Sequence, residues 1–114
     1  MKEIKLRWSS HVPVDHISVE FLQGMLDRMI VGFHNYGHSS RCEGDFDAVA
    51  SLRLRMTAYR KTRNTEFLMD AANFAMMEFI KPKYKGAKYT PTTKRESPGA
   101  VLKGGRRVKG KEDM

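Results

Sequence analysis

The stretch Asn64–Pro82, NTEFLMDAANFAMMEFIKP, decides how the chain is read. As one helix it is apolar on almost every side, through Phe67, Leu68, Ala71, Ala72, Phe74, Ala75, Met76, Phe79 and Ile80. A helix of that composition is a core element, not a surface one. One polar stripe interrupts it: Glu66, Asp70 and Asn73 fall at i, i+4 and i+7 and stack on one side. Two carboxylates and an amide along an apolar helix either pair with cations or hold a divalent metal. Asn64 or Thr65 caps the start. Lys81-Pro82 ends the helix, because the residue before a proline is pushed out of the helical region.

Working back toward the N-terminus, Thr62-Arg63-Asn64-Thr65 is a short connection, and a connection that short makes antiparallel neighbours. The helix before it has Asp45 as N-cap and Asp47 in its first turn, where a carboxylate complements the helix dipole. Val49, Leu52, Met56 and Tyr59 form its apolar stripe, and Arg53, Arg55, Arg60 and Lys61 cover the remainder. Further back, Leu22, Met25, Leu26, Met29 and Phe33 follow the spacing of one buried helical face, which Ile30 widens. Asp15 or Ser18 starts that helix and Gly37 ends it, in the position that tolerates a left-handed backbone. Gly24 costs about 1 kcal/mol in mid-helix relative to Ala and allows a close helix crossing. Ahead of Pro13, Ile4, Leu6 and Trp8 alternate with Lys5 and Arg7, a short strand pattern with no evident partner strand. Trp8 is expected to act as a packing anchor.

After Pro82 the composition changes. Residues 81–114 hold eleven of the 21 Lys and Arg but only three of the 13 Asp and Glu, so this segment carries the whole net charge of +8. The rest of the chain is balanced. Gly and Pro punctuate the basic segment and aliphatics dwindle to Val101, Leu102 and Val108, too few to offset the entropy of ordering it. The chain therefore divides into a helical domain, 1–82, and an irregular basic arm, 83–114, that orders on a partner. Lys83, Lys85, Lys88, Arg106 and Arg107 are candidate phosphate contacts, with Tyr84 and Tyr89 as stacking faces for bases. The arm has no signature of sequence-specific readout.

At 114 residues there is room for one small core. A single cysteine, Cys42, excludes an internal disulfide and fits a reducing compartment. No stretch reaches the roughly 18 apolar residues of a membrane span, and the N-terminus has no apolar leader, so a cytoplasmic protein is expected. His34, His38 and Cys42 recur every four residues, but Gly37 breaks the helix between the histidines, and three ligands fall short of the four of a structural zinc site.

Oxygen ligands at i and i+4 on one helical face can share a Mg²⁺ together with substrate phosphates and waters. The same two acids can instead be a dipole partner, Glu66, and an ion-pair partner, Asp70, for an arginine of the second helix. The run from His34 through Ile80, with HNYG, SLRLRMTAYRKT and TEFLMDAANFAM, resembles the small all-helical nucleotide-modification-associated and MazG-like nucleotide pyrophosphohydrolase domains, many of them phage-encoded. The matching positions are Tyr36 and Gly37, Arg53 or Arg55, Glu66 and Asp70, then Ala72, Asn73 and Phe74. The resemblance implies Mg²⁺ on Glu66 and Asp70 as catalytic acids, with Glu20 and Asp27 of the first helix as further metal ligands. It also implies Arg53, Arg55 and Asn73 on the nucleotide. The chain departs from the pattern in two places. The adjacent Glu-Glu pair of the first catalytic helix is absent, and the second acidic pair is spaced by four instead of three.

The expected architecture is all-α, with three antiparallel helices at about 17–36, 46–62 and 65–81, the last in the centre. An extended N-terminal segment and the basic arm flank them. Three helices make a thin core for so apolar a central helix, so a homodimer is expected to complete the bundle. Two functions are open. One is a Mg²⁺-using nucleotide binder or pyrophosphohydrolase in the host cytoplasm of a phage. The other is a non-enzymatic phage-type protein that binds nucleic acid or a host protein through the arm.

Overall fold

The computed structural model describes residues 3–36 and 47–109, with the backbone alone for 33–36. Gly37, His38, Cys42, the Asp45 cap and the side chains of His34 and Tyr36 lie outside the described residues, as does everything after Lys109.

Among the described residues there are three α-helices: α1 (Val19–Tyr36), α2 (Ala48–Thr62) and α3 (Glu66–Ile80), each within two residues of its expected bounds. Their ends follow from local chemistry. Ser18 starts α1, its hydroxyl accepting the N–H of Phe21 at 3.0 Å, while Asp15 sits in a short 3₁₀ turn, Val14–His16. Asp47, not Asp45, is the observed N-cap of α2: its carboxylate accepts the N–H of Ala50 at 3.0 Å. That hydrogen bond, with Lys83 Nζ 3.0 Å away, holds the Asp47 carboxyl below its ordinary value. α2 stops at Arg63, which takes a left-handed conformation (φ 63°) and donates its N–H to Tyr59 O. At the start of α3 the side chain of Asn64 does the capping work, accepting the N–H of Glu66 at 3.0 Å.

α3 is central, packing on both α1 and α2. Gly24 lies where α1 crosses it: a Cβ there would collide with the Sδ and Cε of Met69. The inward face of α2 differs from the expected stripe. Met56 is exposed, while Arg55 joins Ala48, Leu52 and Tyr59 at i, i+4, i+7 and i+11 on the covered side. The reason is electrostatic and lies on α3, which offers Arg55 a carboxylate and an aromatic face. Among the described residues only Ala48, Asp70, Ala71 and Asn73 are buried, and no large side chain is fully so. Residues 3–8 pair with no strand among the described residues; Ile4 and Leu6 are exposed, and Trp8, expected to anchor packing, is 47% exposed. No described helix is long and apolar enough to cross a membrane.

The chain divides into two units, Met1–Lys83 and Tyr84–Met114. The second is less irregular than its composition implies. Gly86 (φ 83°) completes a turn closed by Ala87 N–H to Tyr84 O. Thr93 and Glu96 cap each other: Glu96 Oε1 accepts the N–H of Thr93 at 2.8 Å, and Thr93 Oγ1 accepts the N–H of Glu96 at 3.3 Å. This reciprocal pattern is that of a capping box, and it holds the Glu96 carboxyl below its usual range. A two-stranded antiparallel hairpin follows, β1 (Ala100–Val101) against β2 (Arg107–Val108), with Ala100 opposite Val108. Gly104 and Gly105 both have φ 92° in its turn, which side chains with a Cβ disfavour.

Candidate functional site

The polar stripe of α3 faces the other two helices. Asp70, whose side chain is 12% exposed, meets one guanidinium from each of them. Arg28 of α1 grips it with two prongs, Nε to Oδ1 at 3.0 Å and Nη2 to Oδ2 at 3.4 Å. Arg55 of α2 brings Nε within 3.5 Å of Oδ2 and places its guanidinium over the Phe74 ring, 5.0 Å from the centroid. Such a placement adds a cation–π attraction. Glu66, one turn earlier and about half exposed, stands 3.7 Å from Arg28 Nη1. One turn later Asn73 Nδ2 donates to the backbone oxygen of Met25 at 2.8 Å. Its Oδ1 is buried with no hydrogen-bond partner among the described residues.

Of the residues nominated by the sequence, Glu66, Asp70, Asn73 and Arg55 therefore converge. Glu20, Asp27 and Arg53 do not: all three are exposed, and Asp27 accepts instead from Gln23 on its own helix at 3.1 Å. Arg28 was not nominated. Its signal is nonetheless present, since Phe21, Met25, Arg28 and Gly32 share the i, i+4, i+7, i+11 spacing, so a cation stands in a core-facing row.

The cluster brings two guanidinium groups against two carboxylates. Both oxygens of Asp70 already face cations. Mg²⁺ takes one or two carboxylates with a nearly ideal octahedral oxygen shell and would stand beside two positive charges here. This donor arrangement fits guanidinium and does not fit Mg²⁺ until Arg28 and Arg55 withdraw. Among the described residues no group of three or more His, Cys, Asp or Glu is placed to hold a metal. What the arrangement does achieve is mechanical: one carboxylate ties three helices together.

The basic unit offers a different surface. Between residues 84 and 109 there are eight Lys and Arg and one carboxylate, Glu96, which is committed to its capping box. Apart from Ser97, every described residue of this segment is exposed, Tyr84 and Tyr89 included. Two cations brace the backbone: Arg107 donates to Pro98 O and Lys109 to Arg95 O, each at 2.7 Å. Lys85, Lys88, Lys103 and Arg106 are exposed without a carboxylate beside them among the described residues. Lys83, assigned to the arm on sequence, belongs to the helical unit, where it pairs with Asp47. Comparison with protein-family models, with curated proteins and with solved structures gave no match.

Proposed function

We propose that the chain binds single-stranded nucleic acid, without sequence preference, through the segment Tyr84–Lys109, with the helical unit as its folded support. The observation that carries this reading is the segregation of charge: between residues 84 and 109, eight exposed or backbone-bracing cations stand against one occupied carboxylate, whereas the helical unit has a net charge of only +2. Lys85, Lys88, Lys103 and Arg106 supply phosphate contacts, and Tyr84 and Tyr89 supply stacking faces, which are worth about 1–3 kcal/mol per base and tolerate any base. Arg107 and Lys109, held to backbone carbonyls, keep the hairpin in shape. In this reading the Asp70 cluster has a structural part and no reaction is assigned to the chain.

Binding of a labelled oligonucleotide, followed by fluorescence anisotropy against salt, tests the proposal. Each single-strand phosphate neutralised contributes about −0.7 to the slope of log K against log salt, so four to eight contacts give a slope of about −3 to −6. Replacing Lys85, Lys88, Lys103 and Arg106 together by Gln should bring the slope about 3 closer to zero. Tyr89→Ala should weaken single-strand binding and leave duplex binding unchanged. Salt-independent binding, or binding that survives deletion of residues 84–114, overturns the reading. Mg²⁺-dependent release of pyrophosphate from nucleoside triphosphates, lost in Asp70→Asn, would move the function to the helical cluster.

A further inference from the structure

α3 is covered on two sides and open on a third. The open side carries Leu68, Ala72, Ala75 and Phe79, at i, i+4, i+7 and i+11. At 100° per residue these four lie within about 60° of one another, and about 170° from Asp70. Their exposure agrees with that placement: Leu68 and Ala72 are half-buried, Ala75 is exposed, and Phe79 is 72% exposed although it is the largest of the four.

The row is large, small, small, large, with spacings of four, three and four. That order reads the same in both directions. A second α3 laid antiparallel across it about a two-fold axis, midway between residues 73 and 74, sets Leu68 opposite Phe79 and Ala72 opposite Ala75. All four large side chains then flank the alanine crossing. Isologous two-fold contacts require such self-complementarity, since the same patch must serve both sides. Small residues at the crossing shorten the distance between helix axes, and bulky ones at the ends fill the grooves beside it.

We propose that the open row of α3 is the dimer interface of the protein and that its occupant is the same row of a second copy.

The test uses the full-length protein. Analytical ultracentrifugation should show a species of twice 13.1 kDa in reversible equilibrium with the monomer. Ala75→Glu, which adds charge at a site already exposed in the single chain, should raise the dissociation constant by about 100-fold or more because two carboxylates lose water near the axis. Its helical circular dichroism should stay that of the parent chain. In a Cys42→Ser background, oxidising a mixture of Leu68→Cys and Phe79→Cys chains should give covalent dimer, and Leu68→Cys alone should give little. A monomer at every concentration overturns the proposal. So does a dimer indifferent to Ala75→Glu, which would place the interface on another surface, such as the exposed Val19, Leu26 and Ile30 of α1. Equal cross-linking by Leu68→Cys alone overturns the antiparallel register. Protection of Phe79 by the chain's own residues 84–114, seen as dimerisation only after their deletion, overturns the choice of occupant.

Discussion

Replacing Asp70 by Ala tests whether one carboxylate ties the three helices together. In the parent chain its side chain is 12% exposed, while those of Arg28 and Arg55 are 33% and 29% exposed. Removing one member of a fully buried pair costs about 3–5 kcal/mol, mostly from the charge left behind. Here the two arginines keep about a third of their access to water and can rehydrate, which brings that loss to roughly 2 kcal/mol. The two guanidiniums are then left facing each other. With an effective dielectric between surface and bulk, their repulsion adds on the order of 1 kcal/mol. The expected total is about 3 kcal/mol, out of roughly 4–12 kcal/mol for a unit of 83 residues. Urea unfolding followed by circular dichroism, at one protein concentration, measures it as a lower midpoint at unchanged slope. Asp70→Asn should lose about half as much, because its amide oxygen still accepts one hydrogen bond. A double-mutant cycle with Arg28→Met should give at least about 1 kcal/mol of coupling. Stability within about 0.5 kcal/mol of the parent chain, or zero coupling, would refute the reasoning. A midpoint that rises with Mg²⁺ would show the acids exchanging guanidinium for metal.

Further substitutions bear on other links. Arg63 takes a left-handed conformation that costs a residue with a Cβ about 1 kcal/mol, more than its exposed Nε bond to Arg60 O returns, so Arg63→Gly should raise the thermal midpoint. At Gly24 an added methyl meets only the mobile end of Met69, so Gly24→Ala should stay within about 1 kcal/mol of the parent, while Gly24→Leu should cost about 1–3 kcal/mol in urea unfolding. The depressed pKa of Asp47 means that the folded chain binds this proton less readily than the unfolded chain. Its contribution to stability is therefore present above the ordinary value of 3.8 and is lost as pH falls through the lower, folded value. The stability gap between the parent chain and Asp47→Asn, followed by unfolding at descending pH, should close over that acid range and stay constant at neutral pH. Gly99→Ala puts a methyl against the Val108 backbone at φ 76°, and should abolish the cross-strand NMR contacts between Ala100 and Val108 while leaving the helical spectrum unchanged.

The helices are legible in the sequence because their signals are local and agree with one another. Ser18 and Asn64 each offer an oxygen to an orphan N–H of the first turn, and apolar periodicity fills the intervals, while the cap of α2 falls at Asp47, two residues beyond the expected Asp45. The orientation of α2 is not legible in the same way. A pattern of apolar and charged residues turns Met56 inward and Arg55 outward. The structure reverses them, because Asp70 and the Phe74 ring together offer a guanidinium more than the crossing offers a thioether. That preference depends on a residue fifteen positions away on another helix, where periodicity within one helix carries no information. The choice between metal ligand and ion-pair partner for Asp70 turns on Arg28, an isolated arginine whose only mark is its place in a core-spaced row. In the basic segment the Thr93-x-x-Glu96 pair is a local signal that the charge run obscures, and the hairpin follows from Gly99, Gly104 and Gly105.

That no large side chain among the described residues is fully buried has a calorimetric consequence. Heat capacity of unfolding rises with the surface newly wetted, chiefly its apolar part. A single copy should accordingly unfold with a heat-capacity increment below the usual value of about 12–15 cal/mol/K per residue. Its stability curve is then shallow, with a broad melting transition and little tendency toward cold denaturation. Covering the open face of α3 would steepen that curve, so scanning calorimetry at low and high protein concentration would trace two differently curved profiles from one sequence.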